Sequence, residues 1–177
     1  ILSVNNSLFC TALTLHGSEQ HKQGALRSVA EGRAIGAFAL TEAHCGSDAS
    51  AMRCRAERTA DGQWRITGAK SWITSGPVAD WVILFAVTDP AAGSRGISAF
   101  LIDTTRAGFG RGKKEPKMGV RASATCEIVF QDYLAQAQDL IGILFGLGAA
   151  VFYAAVVLLN KFIKNVEGIH LTFLQFL

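Results

Sequence analysis

The chain has 177 residues, half of them hydrophobic and 18% charged, enough for one domain with a real core or for parts of two. A net charge of +3, with basic residues scattered outside the 111–117 stretch, gives no case for nucleic acid or an anionic membrane surface as partner. The four cysteines (Cys10, Cys45, Cys54, Cys126) form no Cys-x-x-Cys pair and have no histidine at metal spacing. That argues against a zinc site or a disulfide framework and fits a reducing compartment.

The average conceals an asymmetry. From Leu140 onward the charged residues are Lys161, Lys164 and Glu167, so the chain reads as a soluble body with an apolar tail. It opens on Ile1-Leu2-Ser3, without an initiator methionine, a basic leader or a cleavage pattern, and is expected to begin inside something longer.

In chain order, the apolar stretch from Leu8 to Leu15 predicts a helix ending near Gly17, and Ser18 is the N-cap of a second one closed by Glu31-Gly32. Ala34 to Leu40 is a short continuous apolar run, the mark of a buried strand. A polar loop covers 41–50. Met52 to Thr59 alternates like a half-exposed strand, and Asp61-Gly62 is a hairpin turn leading into a return strand from Trp64 through Thr74. Further strands are expected at Trp81 to Thr88, Ile97 to Asp103 and Cys126 to Phe130, with a glycine- and lysine-rich loop over 108–119. Short strands at turn-punctuated spacing, without helices between them, predict a mainly β fold: an antiparallel β-barrel or sandwich preceded by a short helical pair. Leu140 to Asn160 holds about twenty residues without a charge, the length of a membrane-crossing helix.

Two segments carry chemistry. Thr41 and Ser47 place hydroxyls on the loop after a buried strand, with Gly46 allowing close backbone approach, an arrangement that can bind a planar heterocycle or a phosphate. Lys70-Ser71-Trp72-Ile73-Thr74-Ser75-Gly76 sets a large flat ring two residues from a hydroxyl, which regular alternation would put on one face. Each alone has a plainer reading: a polar turn in the first case, a core tryptophan with a surface threonine in the second. Neither G-x-G-x-x-G nor a Walker motif is present in them.

Together the two are specific. Phe38-Ala39-Leu40-Thr41-Glu42, Gly46-Ser47-Asp48 and Gly68-Ala69-Lys70-Ser71-Trp72-Ile73-Thr74-Ser75-Gly76 resemble the acyl-CoA dehydrogenase family. The resemblance extends through Gly96-Ile97-Ser98-Ala99-Phe100-Leu101, Lys117-Met118-Gly119 and Arg121-Ala122-Ser123, and back to Asn5-Asn6-Ser7-Leu8, over about residues 1–142. Its details look most like the short- and branched-chain branches.

The resemblance implies FAD as cofactor, an acyl-CoA substrate, an electron-transfer flavoprotein as acceptor, a homotetramer in the intact family, and a cytoplasmic enzyme. It implies that Phe38, Leu40 and Thr41 lie along the flavin, with Thr41 on its pyrimidine edge. Gly46 and Ser47 would sit near the pyrophosphate, Ser47 also touching the acyl-CoA. Trp72 and Ile73 would pack by the ring system, and Thr74 would bond near N5. The implied reaction is α,β-dehydrogenation of the thioester. Three divisions follow: 1–33 as the end of a helical domain, 34–139 as the FAD-binding β-domain, and 140–177 as the apolar tail.

Ala43-His44-Cys45 departs from the family pattern, and His44, Ser47 and Asp48 crowd too closely for a hydrolytic triad. The resemblance implies a catalytic glutamate in a C-terminal helical bundle, so no catalytic residue is expected among those read above, no metal ligand is expected from the cysteine spacing, and little dehydrogenase activity is expected of the chain alone. The basic 111–117 stretch could attract CoA phosphates, though a solvated loop is the commoner use of such residues. Past Gly142 the chain instead resembles the first span of an EamA-type drug/metabolite transporter, with Gly142 and Gly146 at helix-packing spacing. A truncated composite is therefore expected, its tail embedded in a membrane. The competing readings are a transporter fragment with an incidental soluble part and a β-sandwich that only binds acyl-CoA or flavin.

Overall fold

Residues 4–142 are described by the computed structural model. π-helical turns Val4–Cys10 pass into α1 (Thr11–His16), turning Phe9, Ala12 and Leu13 inward. Gly17 ends α1. Ser18 then caps the next helix: its Oγ accepts from the His21 backbone N–H, and its own N–H donates to His21 Nδ1, both at 3.3 Å. This reciprocal cap satisfies donors that the first helical turn leaves open. α2 (Glu19–His21), π-helical turns Lys22–Leu26 and α3 (Arg27–Ala30) follow without a break and bury Ala25 and Val29. The helical pair read from sequence is there.

Eight strands follow among the described residues: β1 (Gly36–Ala39), β2 (Arg55–Arg58), β3 (Trp64–Thr74), β4 (Trp81–Val87), β5 (Ile97–Asp103), β6 (Phe109–Lys114), β7 (Thr125–Ala135) and β8 (Leu140–Gly142). They form one sheet in the order β6-β7-β3-β2-β4-β5-β8, with β1 joined to β4. The fold is mainly β, but the expected antiparallel barrel or sandwich is instead an open, mixed sheet. β1 runs parallel to β4 from Gly36↔Trp81 to Ala39↔Leu84, and β2 meets β4 in parallel at Arg55↔Val87. Tight hairpins enforce antiparallel neighbours; β1 and β2 reach β4 only after the β2–β3 excursion, long enough to bring the chain back in the same direction.

β4 sits at the centre, buried on both faces. Val82, Leu84 and Ala86 face a core shared with Ile66, Ile73, Phe100, Ile128 and Phe130. Ile83 and Phe85 face a second core with Phe9, Leu13, Val29 and Leu101, which fixes the helices against the sheet. A strand covered on both sides carries a continuous apolar run rather than alternation.

Two elements exceed their sequence expectation. The 108–119 segment contains β6, paired with β7 from Phe109↔Phe130 to Lys114↔Cys126. An edge strand needs hydrogen bonds from one neighbour only and can keep glycines and lysines, so apolar periodicity does not reveal it. β7 runs on past Phe130 to Ala135 through a bulge, where two steps on β3 (Ile66 to Gly68) oppose three on β7 (Tyr133 to Phe130). Asp132 takes φ 51 there.

The apolar run expected to be helical from Leu140 begins as β8, antiparallel to β5. Leu140 packs on the first core and Ile141 on the second, the alternation of a strand. The transporter-like span expected beyond it, 143–177, lies outside the described residues. Among the described residues no helix is long and apolar enough to cross a membrane.

Candidate cofactor-binding site

The ladder of β1 ends at Ala39, yet the chain beyond it is held in place by side chains and by β3. The Leu40 carbonyl accepts a hydrogen bond from Lys70 Nζ at 3.0 Å, and the Thr41 carbonyl accepts from the Ser71 N–H at 2.9 Å. Glu42 then turns back on Cys45 through a pair of backbone hydrogen bonds of 3.0 and 3.2 Å. Phe38 and Leu40 are half-buried against the second core, Phe38 with its ring 5.0 Å from that of Phe85. Thr41 is half-exposed, Gly46 and Ser47 are exposed, and a Cβ on Gly46 would stand 4.0 Å from the Thr41 methyl.

On β3 the register slips between Lys70 and Ile73: three steps on β3 oppose two on β7, from Ile128 to Cys126. This bulge puts Trp72 at φ 63 and leaves its side chain 62% exposed, while Ile73 is buried and Thr74 half-buried. A left-handed tryptophan is uncommon and strained, and bulges re-aim side chains where function needs it. The reading of Trp72 as a core residue is excluded. Regular alternation would put Trp72 and Thr74 on one face, and the bulge interrupts that alternation.

Under these segments lies a buried charge pair. Lys70, with 0% exposure, donates to Glu42 Oε1 at 2.8 Å and lies 3.7 Å from Met52 Sδ. Glu42 Oε2 accepts from Arg53 N–H at 2.7 Å, and Oε1 from Cys54 N–H at 3.0 Å. Burial alone would raise the Glu42 carboxyl pKa, but the Lys70 charge and hydrogen bond and the two backbone donors bring it below the usual carboxylate range. Both residues fall within the sequence motifs, but the motifs assign neither of them a role. The signal was present: Lys70 is in phase with Trp64 and Ile66 on the inward side of β3, where a charge requires a partner.

Glu42, His44 and Cys45 bring potential metal-ligating atoms within 4.8 Å of one another. The carboxylate is already neutralised by Lys70, and burial, then the nearby Glu42 charge, push the Cys45 thiol up. His44 Nε2 lies 3.2 Å from the Ala51 carbonyl. Asp48 is bonded to the backbone N–H of Ser50 at 3.1 Å, not to His44, so no triad forms. Burial likewise pushes the Cys54 thiol up to about 11, and Cys126 is core.

The structure thus brings the end of β1 and the β3 bulge together as one shelf bearing Thr41 and an exposed indole; Ser47 stays on the neighbouring loop. In the 111–117 stretch, Arg111 bonds the Ala79 carbonyl at 2.7 Å and Thr104 Oγ1 at 2.9 Å, and Lys117 bonds the Ser123 carbonyl and Thr125 Oγ1. Lys113 and Lys114 are exposed.

Behind the helices the mainly β domain carries this strand end and bulge, and residues 37–133 match the family model described as acyl-CoA dehydrogenase, middle domain. The chain belongs to the acyl-CoA dehydrogenase family. It is 43% identical over 142 residues, 80% of its own length, to a short-chain specific acyl-CoA dehydrogenase of Clostridium acetobutylicum, of which it covers 37%. It resembles the structure of butyryl-CoA dehydrogenase from Megasphaera elsdenii, with TM-score 0.78, 34% identity, and 94% of this chain on 49% of that one. A glutaryl-CoA dehydrogenase from Mycobacterium smegmatis in complex with FADH2 gives TM-score 0.76 and 34% identity, with 87% of this chain on 39% of that one. The chain spans little more than a third of the length of such curated relatives. The segment likened to a transporter lies beyond the residues the family model matches.

Proposed function

We propose that this chain supplies the flavin-facing half of an FAD-dependent acyl-CoA dehydrogenase site. The observation that carries the reading is the Trp72 bulge: a flat indole, 62% exposed, set beside the Thr41 strand end by the Ser71–Thr41 hydrogen bond of 2.9 Å. Large exposed apolar surface held by a strained backbone suits a ligand that covers it.

In this reading Thr41 and the backbone after Phe38 and Leu40 hydrogen-bond the pyrimidine edge of the isoalloxazine. Trp72 packs on the ring system with Ile73 beneath, and the Thr74 hydroxyl donates near N5. Gly46 and Ser47 receive the pyrophosphate, Ser47 reaching the acyl-CoA as well. Bound FAD supplies a two-electron acceptor for the substrate's β-hydrogen; the residues here orient it and exclude water from one side. The base that removes the α-proton is not assigned to any residue of this chain. An electron-transfer flavoprotein is the proposed acceptor, and a tetramer the proposed assembly of the whole protein. The domain division at 34–139 and the transporter-like reading of 143–177 are proposals of the same kind. A contiguous product amplified across the 142–143 junction from independent source DNA would support a natural fusion; its absence would count against one.

The test is an FAD titration of the chain, read by quenching of tryptophan emission. Binding is expected, and Trp72→Ala should weaken it about tenfold, the equivalent of ~1.4 kcal/mol. A chain that takes up no FAD overturns the reading. With butyryl-CoA and an electron acceptor no turnover is expected; clear activity would show that the chain contains its own base.

A further inference from the structure

We propose that Glu42 and Lys70 are positioning residues for the flavin site: the buried pair sets where the β1 end and the Trp72 bulge stand. This rests on the flavin reading above.

The buried pair stands in surroundings that do not need a charge. Lys70 is fully buried, its Nζ 3.7 Å from Met52 Sδ and its backbone opposite Ile128 on β7, where an apolar side chain of similar length would avoid the desolvation of two ions. What an apolar residue cannot do is hold backbone groups at fixed directions. Lys70 Nζ holds the Leu40 carbonyl at 3.0 Å, just past Ala39, the last residue of β1 paired with β4. Its partner Glu42 holds the N–H groups of Arg53 and Cys54 at 2.7 and 3.0 Å, ahead of β2. Three chain segments therefore converge on one ion pair.

The consequence falls on the site. Lys70 is followed by Ser71, whose N–H bonds the Thr41 carbonyl, and then by Trp72 at φ 63. Between Lys70 and Ile73 the β3–β7 register is interrupted, so Ser71 and Trp72 lack regular ladder partners on β7. Their placement depends on the Thr41 contact on one side and on Lys70 on the other. Loss of the tether from Lys70 to Leu40 leaves the Ser71–Thr41 bond as the link between the strand end and the bulge. One hydrogen bond sets a distance but not an orientation.

The test compares the full 177-residue chain with the double variant Glu42→Gln/Lys70→Met, which leaves no unpaired charge and keeps one of the two oxygens that accept from Arg53 and Cys54, the other becoming an amide NH2. The measurements are thermal stability, amide exchange at Ser71 against that at Leu84 in the central strand, and FAD affinity. A double variant that melts near the wild type, exchanges Ser71 about tenfold faster relative to Leu84, and binds FAD about tenfold more weakly supports the proposal. Wild-type exchange at Ser71 together with wild-type FAD affinity overturns it, because the pair would then be packing alone. Should the double variant not fold, Glu42→Gln alone serves: Lys70 keeps its bond to Leu40 while the charge partner is gone, and smaller changes in the same directions are expected, with no change overturning the proposal. If the wild-type chain binds no FAD, the flavin reading fails by itself. Ser71 exchange and Trp72 emission then decide the positioning role, unchanged values in the variants overturning it.

Discussion

At the β1–β3 junction Lys70 is buried and bonded to a carboxylate and a carbonyl, and the glycine two residues earlier is pressed against Cys54. Along β6, Lys113 and Lys114 are exposed, and Gly110 has room beside Val129. The residue types are the same; their surroundings are opposite. In the first region the Lys70 ammonium and the Glu42 carboxylate are held by named partners, so these side chains report on geometry. In the second, charge density describes only a solvated edge, apart from Arg111 and Lys117, which fasten the edge to carbonyls of its neighbours. A run of basic residues is therefore weaker evidence of a site than one lysine in the inward phase of a strand.

Lys70→Met should break the contrast most severely. It removes the Lys70 cation from the buried Glu42 carboxylate, leaving His44 Nε2 at 3.6 Å, and a loss of about 3–5 kcal/mol in unfolding free energy is expected by chemical denaturation. Lys113→Ala, measured alongside, should stay within about 0.5 kcal/mol of the parent.

Gly68→Ala comes next. Gly68 has φ +148, and an added Cβ would meet the Cys54 Cα at 2.7 Å, so backbone must move against backbone. A loss of about 1–3 kcal/mol is expected from thermal melts. The counterpart Gly110→Ala places its Cβ 3.6 Å from the Val129 carbonyl oxygen, an ordinary contact. Its change should be about 0.5 kcal/mol or less in either direction.

The pH dependence sharpens the same point. The folded-state pKa of Glu42 is depressed, so the stability it contributes is present above its unfolded value of about 4.3 and is lost as pH falls through the lower folded value. Melting temperature in the wild type should therefore drop from about pH 4 downward, and Glu42→Gln should flatten that acid limb. An acid limb unchanged by the substitution would mean that the pair does not govern acid stability.

Much of the fold is legible in local sequence because its signals are local. Gly17-Ser18 marks the end of one helix and the cap of the next. Asp61-Gly62 forms the turn before β3, with Gly62 at φ 82 and its N–H bonded to the Thr59 carbonyl at 3.0 Å. β3 has the bounds expected, Trp64–Thr74. What escaped were features that a neighbouring strand imposes: β6, recognisable only by its pairing with β7; the parallel direction of β1 on β4; and the two bulges between β3 and β7, one on each strand. Ala37 and Ala39 on β1 look the same in sequence whichever way β4 runs beside them.

For the site, the motifs around Thr41 and Trp72 were sufficient by sequence to indicate the family, since several ordered short motifs along one chain rarely coincide by chance. Only the tertiary structure decided how they meet. Glu42 and Lys70 are 28 residues apart, and no local preference links them. Sheet pairing brings β3 beneath the end of β1, burial makes an unpaired charge there untenable, and the resulting pair anchors both segments on which the site is built.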